Sequence, residues 1–471
     1  MSKDEGKGFF NHSRNYLIAE FFNKGIVFLT IPLFTYLLSP EDYGVISIYA
    51  TIISILIVFM GLNIHASVQR HYHDEFNEFN EFLGTNILFL VFLNTLLVFL
   101  FIISQDYLSS FLSIDSRVLF VAVIVSSLSV FLQVELSYLQ TSQQSKKYVK
   151  ILVIRNILLT LGATIWMYLL DDHRYLGKVY SELLIMCMIF IFVIYDLLKL
   201  SKFNINIKFL KYSLSYGIPL IPHTLSGLIL LLSDRLIINQ LSGSYETGLY
   251  SFAFNIGMIM SIVVTSFNNA WIPIFYKDLK EKSYYKIQKS SEKYIKIIFT
   301  VSLLLVLFSK EIVIIMADKK YYEALNIVPL IILSFTMVYL YTLFANYAFY
   351  RKKTGLISLF TFIAGIINIS LNYLLIPIFG YEVAAWTTLF SYFMLFVLHY
   401  INVKFFLKEK TITLSKILIQ LSFLMALIIL FLNVDINQYI FHLAFKFLLA
   451  IIFIIVLFKS EISRKLNNRY L

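Results

Sequence analysis

Charge is scarce in this sequence. Asp, Glu, Lys and Arg make up 14% of its 471 residues, hydrophobic residues make up 59%, and the mean hydropathy is +0.79. That balance excludes an ordinary water-soluble domain, in which about a quarter of residues are charged. Cysteine is nearly absent as well. Cys187 stands alone, which rules out a disulfide framework and a cysteine-built zinc site, and its place inside an apolar block reads as packing. No G-x-x-x-x-G-K-[ST] loop occurs, so energy for any work is expected from a substrate gradient, the membrane potential or a coupled ion. No segment between apolar blocks has room for a folded soluble domain. The first stretch, "MSKDEGKGFFNHSRNY", leads into a long apolar run without a small-residue cleavage site, so the run is expected to stay as an anchor rather than be removed as a signal peptide.

What is present is apolar sequence in blocks of roughly 20 residues, the length a helix needs to cross a ~30 Å hydrocarbon core. Reading these blocks between polar breaks predicts an all-α polytopic membrane protein with about fourteen spans between residues 15 and 458. The formal charge of +11 does not indicate nucleic acid, because the cations sit in short loops and form no continuous basic face. They read as topology signals. With the N-terminus inside, "QQSKKYVK", "KLSKFNINIKFLKY", "YKDLKEKSYYKIQK", "RKKT", "KFFLKEK" and the tail all fall on the cytoplasmic side, whereas the outer loops hold only Arg174, Lys178, Lys319 and Lys320. Both termini are therefore expected in the cytoplasm.

"LSPEDYGVISIYATI" from Leu38 resembles "LSGSYETGLYSFAFNI" from Leu241, about 203 residues later. Each copy has Leu-Ser, a few turn residues, Gly and then a small-and-aromatic helix start, and each joins one apolar helix to the next. The repeat predicts two six-helix halves of the same direction, residues 1–210 and 211–405, followed by a terminal hairpin and tail at 406–471.

"KGIVFLTIPLFTYLLSPEDYGVISIYATI", "YGIPLIPHTLSGLILLLSDRLIINQLSGSYETGLYSFAFNIG" and "NNAWIPIFYKDL", together with the run from Gly355 to Tyr400, resemble the polysaccharide biosynthesis proteins of the multidrug/oligosaccharidyl-lipid/polysaccharide exporter superfamily. Within it the likeness is to the Wzx-type flippases of O-antigen and capsule pathways. The resemblance implies two six-helix lobes in a V shape around a cavity, with a C-terminal helix pair beside them. It also implies alternating access that moves an undecaprenyl-diphosphate-linked oligosaccharide from the cytoplasmic to the periplasmic leaflet of a bacterial inner membrane. Other polysaccharide assembly proteins are partners implied only by this resemblance. No enzymatic activity and no cofactor are expected, beyond a possible coupling ion, H⁺ or Na⁺.

A lipid diphosphate head is prohibitively costly to transfer through hydrocarbon, so the pathway must supply cations within the spans. Glu20 and Lys24 share one face of the first span at i, i+4. Lys24 is read either as a diphosphate anchor with Glu20 as its neutralising or ion-coupling partner, or the two form a self-satisfied pair. Neighbours on a helix point about 100° apart, so Asp234 and Arg235 need separate partners. Either Arg235 contacts substrate or closes an outer gate while Asp234 holds a partner cation, or Arg235 snorkels to the interface and Asp234 caps a helix. Arg155 either faces the inner mouth of the cavity or snorkels. His223 lies in "IPLIPH", where Pro219 and Pro222 favour a bend and hence a hinge; its own role is gating, or polar packing.

Arg70, His71, His73 and Asp74 mimic a metal cluster, but a solvated loop is the expected reading, and no metal site is assigned. Lys446 and His442 fall in the terminal hairpin, away from the expected cavity. The alternatives to a flippase are a cation-coupled multidrug exporter of the same superfamily and a membrane polymerase or ligase. The first needs predominantly acidic intramembrane residues, which the sequence does not offer. The second needs a sizeable extracytoplasmic loop.

Overall fold

The computed structural model describes residues 25, 26, 28–74, 78–409, 412–433 and 439–467, and all regular structure among them is helical. In chain order the helices are α1 (Phe28–Leu37), α2 (Pro40–Gly61), α3 (Ile64–Asp74), α4 (Phe79–Leu112), α5 (Ser116–Thr141), α6 (Ser145–Leu169), α7 (Tyr175–Leu200), α8 (Ile207–Gly217) and α9 (Ile221–Leu241). There follow α10 (Ser244–Lys280), α11 (Tyr284–Leu307), α12 (Ser309–Met316), α13 (Val328–Tyr350), α14 (Thr354–Phe379), α15 (Val383–Ile401), α16 (Leu414–Asn433) and α17 (Tyr439–Asn467). Among the described residues 11 helices are long and apolar enough to cross a membrane, or 12 when the bent pair α11–α12 counts as one span. Two shorter apolar helices, Phe28–Leu37 and Leu443–Phe458, lie where the first and last predicted spans fall.

The helices form where hydrocarbon leaves the backbone no partner but itself. Polar side chains inside them bond back to their own helix: Thr51 to the Ser47 carbonyl at 2.8 Å, Asn94 to Leu90 at 2.8 Å, Ser126 to Ala122 at 2.6 Å. Helix starts carry ordinary signals. Ser39 accepts from the Asp42 amide at 3.1 Å, Pro40 occupies the first turn, and Glu41 and Asp42 face the positive end of the α2 dipole.

The chain divides into two compact units, Met1–Ser251 and Phe252–Leu471. In the first, α2, α5 and α7 pack around a core that includes Val118, Ala122, Val125 and Val179. At one end of this unit Arg174 bonds the Leu37 carbonyl at 3.0 Å, and Asn239 bonds the carbonyls of Leu112 and Ser113 at 3.0 and 3.1 Å. The two copies of the repeat meet at this end. A methyl group on Gly44 would overlap the Ser244 carbonyl, and one on Gly248 would overlap the Pro40 carbonyl. Each glycine thus faces the carbonyl one turn before the other, a reciprocal contact that only two residues without Cβ atoms permit. At the opposite end Ser67 bonds Ser213 at 3.2 Å, and Lys147 bridges Glu135 and Asp196 at 3.1 and 2.7 Å.

In the second unit α13 is buried almost throughout, packed against α11 and α15. Trp271 stacks on Phe275 at 4.5 Å, Phe275 meets Tyr347 edge-on at 4.7 Å, and Asn346 bonds Asn268 at 2.9 Å. Asn368, Asn372, Thr387 and Thr388 form a buried polar ladder between α14 and α15.

Several expectations are corrected. One of the apolar blocks expected to form a single span is broken: α11 and α12 meet at 59° across Phe308. Glu311 beyond the break receives Lys446 of α17 at 2.6 and 2.7 Å, and Lys446, fully buried, also lies over the Phe308 ring. The segment of Arg70, His71 and Asp74 is helix α3, not a solvated loop. His71 is buried and stacked on Phe82 at 3.8 Å, while Arg70 pairs with Asp74 at 3.3 Å. Cys187 is exposed rather than packed, because it shares the outward stripe of α7 with Leu184, Met188 and Ile191. Lys178, read as an outer-loop cation, lies within α7. Pro219 and Pro222 do interrupt the helix: a 3₁₀ turn, Ile218–Leu220, separates α8 from α9, although the two count together as one candidate span.

Two stability measurements follow. Gly248→Ala should lower the melting temperature of the detergent-solubilised protein by the equivalent of at least ~1–3 kcal/mol, the cost of overpacking. Gly227→Ala on the same unit, where an added methyl group meets nothing within 4 Å, should be neutral or stabilising by about 0.4–1 kcal/mol. Lys446→Met should cost roughly 3–5 kcal/mol by stranding Glu311, and Lys446→Met/Glu311→Leu should recover most of it in the same thermal assay.

Candidate functional site

Arg155 sits near the middle of α6, roughly 15 Å along a helix that starts at Ser145. Its Nη2 reaches Glu182 Oε1 of α7 at 3.4 Å, and Lys178 Nζ, one turn earlier on α7, reaches Glu182 Oε2 at 3.6 Å. α6 and α7 form an antiparallel pair in close contact, which brings these three residues together although 27 positions separate Arg155 from Glu182. Tyr49, 1% exposed, lies on α2, which packs against α7. The cluster therefore holds two cations and one carboxylate.

Two of its donors are unspent. The Arg155 Nε and the Tyr49 hydroxyl are buried and have no hydrogen-bond partner among the described residues. Buried donors in a membrane protein normally find acceptors, so a pair of them beside excess positive charge marks a place where an acceptor is missing. The site is reachable, since the Arg155 side chain is 25% exposed and those of Lys178 and Glu182 are 16% and 12% exposed. Chemically, the arrangement suits an anion with several acceptor oxygens.

The structure treats the other sequence-derived positions differently. Asp234 and Arg235 are 1% and 5% exposed, both buried within the first unit. The Tyr250 hydroxyl donates to Asp234 Oδ2, and Arg235 Nη1 donates to the Leu231 carbonyl at 3.2 Å. The two neighbours thus have the separate partners that helix geometry demands. His223 is exposed on α9 just beyond the 3₁₀ turn. Glu20 and Lys24 lie outside the described residues. No group of three or more His, Cys, Asp or Glu side chains among the described residues is arranged to hold a metal ion. Sequence reasoning missed Glu182, Lys178 and Tyr49 as site members. Lys178 and Glu182 do carry a legible i, i+4 signal, but Tyr49 looks like any aromatic residue of a span.

A second unusual set, His399 and Asn402, occupies the join between α15 and a π-helical turn, Asn402–Phe406. Both residues are fully buried. The imidazole stacks on Tyr341 at 5.6 Å and meets Phe360 edge-on at 5.4 Å. An apolar cleft of the second unit is lined by Leu330, Glu382, Trp386 and Ile428, and has no cation on its walls.

Comparison with known proteins agrees with the helical architecture. Residues 14–278 match the family model described as "Polysaccharide biosynthesis protein". The chain is 26% identical to "Lsg locus putative protein 1" of Haemophilus influenzae, over 77% of this chain and 90% of that protein. It is 25% identical to "Capsular polysaccharide biosynthesis protein CapF" of Staphylococcus aureus, over 82% of this chain and 97% of that one. Among solved structures it is similar to the lipid II flippase MurJ in an inward closed conformation, with a TM-score of 0.76, 15% identity and coverage of 95% of this chain and 99% of that one. It is also similar to an inward-facing multidrug resistance MATE family transporter of the MOP superfamily, with a TM-score of 0.65, 14% identity and coverage of 81% and 93%. The family model spans more than half of the sequence and the fold is shared along nearly its whole length: this chain belongs to the polysaccharide biosynthesis protein family, as a multi-pass membrane protein with a MurJ- and MATE-like fold.

Proposed function

We propose that this protein is a flippase for lipid-linked oligosaccharides. It carries undecaprenyl-diphosphate-linked repeat units from the cytoplasmic to the periplasmic leaflet for O-antigen or capsule synthesis. Two six-helix lobes in a V shape, residues 1–210 and 211–405, open alternately to each side of a bacterial inner membrane. The helix pair of residues 406–471 completes a fourteen-helix chain, and both termini lie in the cytoplasm. The cycle is not enzymatic, and a coupled ion, H⁺ or Na⁺, supplies any energy beyond the substrate gradient.

One observation carries this reading: the Arg155–Glu182–Lys178 cluster, which joins the middle of α6 to the first turns of α7, has a surplus of positive charge and, among the described residues, two unspent donors. A diphosphate head needs such a station on its way through hydrocarbon, whereas a cationic drug would be repelled by it. The family and the capsule-related relative favour a glycan as the cargo attached to that head. Arg235 and Lys24 act as further cationic contacts, and Glu20, Asp234 and His223 serve ion coupling or gating. The lipid tail stays in the bilayer throughout.

The test compares a deletion strain with strains carrying wild type, Arg155→Ala or Arg235→Ala, each expressed at equal level. It scores surface polysaccharide and the leaflet in which the lipid-linked repeat unit resides. Cytoplasmic-leaflet accumulation is expected in the deletion strain, restored by wild type, with Arg155→Ala reducing export by about tenfold or more, the scale of losing one buried charge-assisted contact. Normal arrival of the repeat unit in the outer leaflet without this protein would sink the flippase reading.

A further inference from the structure

We infer that Glu182 is an internal stand-in for the substrate anion: its carboxylate occupies the cationic site of the first unit until a diphosphate displaces it. This rests on the reading of that cluster as the anion station.

The first argument is geometric. The contacts of Glu182 with Arg155 and Lys178 are long, 3.4 and 3.6 Å. Other pairs that join helices of the same protein are tighter, with Lys147 at 2.7 Å from Asp196 and Lys446 at 2.6 Å from Glu311, while the 3.3 Å pair of Arg70 and Asp74 is exposed and within one helix. Short pairs are charge-assisted hydrogen bonds that fasten helices together, whereas pairs this long are held mostly by charge and give way easily. The carboxylate spans the two cations with one oxygen each, much as two oxygens of a phosphoryl group would.

The second argument is the inventory of donors. A carboxylate has two oxygens, and both are committed to Arg155 and Lys178. Among the described residues, the Arg155 Nε and the Tyr49 hydroxyl remain without acceptors. A phosphoryl group brings three acceptor oxygens and more charge, enough to engage donors that Glu182 leaves idle.

The third argument concerns the empty state. Two unpaired, largely buried cations between packed helices would be costly, and Glu182 removes most of that cost while leaving the cluster net positive. Binding then exchanges one anion for another instead of filling a void. The exchange keeps affinity moderate, so the head group can leave again on the far side.

Inorganic pyrophosphate serves as the probe, titrated calorimetrically into the full-length protein in lipid nanodiscs. Glu182→Gln should bind it about tenfold or more tightly than wild type, because a competing charge a few ångströms away has gone. Glu182→Asp keeps the charge but withdraws it by one methylene, and should also bind more tightly; it guards against a folding defect in the Gln variant. Arg155→Gln should abolish binding. In cells, Glu182→Gln should export less polysaccharide despite its higher affinity, since the counter-ion that ejects the head is missing. If both Glu182 variants bind no more tightly than wild type while Arg155→Gln still loses binding, the stand-in role fails and the anion station survives. If neither wild type nor Glu182→Gln binds pyrophosphate, both fall.

Discussion

In hydrocarbon a charged side chain has no water to retreat to, so it must be neutralised by another part of the protein or exposed in a polar pathway. This constraint orders the charges described above. Lys147 gathers Glu135 from α5 and Asp196 from α7 at the end of the first unit, and Lys446 of α17 takes both oxygens of Glu311 next to a broken helix. These clusters bind helix to helix with short contacts. The Arg155 cluster departs from the pattern in three ways at once: long contacts, surplus positive charge and idle donors. In a medium that penalises such looseness, its persistence is a statement about use.

The neutralised clusters also explain why irregular backbone is tolerated where it occurs. The α11–α12 break exposes backbone groups that an unbroken helix would satisfy, and it lies where Lys446 and the Phe308 ring supply a charged and an aromatic anchor. The π turn after α15 begins at Asn402, buried beside His399 and an aromatic wall. At each site the residues that open the irregular stretch are buried, Ser309 after the break and Asn402 and Val403 at the start of the π turn.

Much of the architecture was legible in the sequence because the bilayer imposes a length on each helix, and apolar blocks of that length recur from end to end. The break at Phe308 was not, since "FSKEIVIIM" keeps its apolar average and the residue that pairs with Glu311 beyond the break, Lys446, lies 135 positions from it. Helix α3 was hidden because its residues are polar enough to read as a loop; only tertiary packing of His71 on Phe82 reveals its buried face. At the candidate site, Arg155 stood out as a charge in an apolar run. Lys178 was assigned to the wrong side of a helix start, a few residues being enough to move a cation from a loop into a span. Glu182 and Tyr49 acquire meaning only from the packing of α7 against α6 and α2, which no periodicity reports.

The reciprocal contact between the repeated motifs has a consequence for how such a chain can change. A duplicated segment ordinarily gives one copy freedom to drift while the other keeps the original task. Here Gly44 rests on the backbone of the second copy and Gly248 on the backbone of the first. A side chain gained by either motif pushes the other away, so the two similar motifs carry one joint restriction at their point of contact within the first unit.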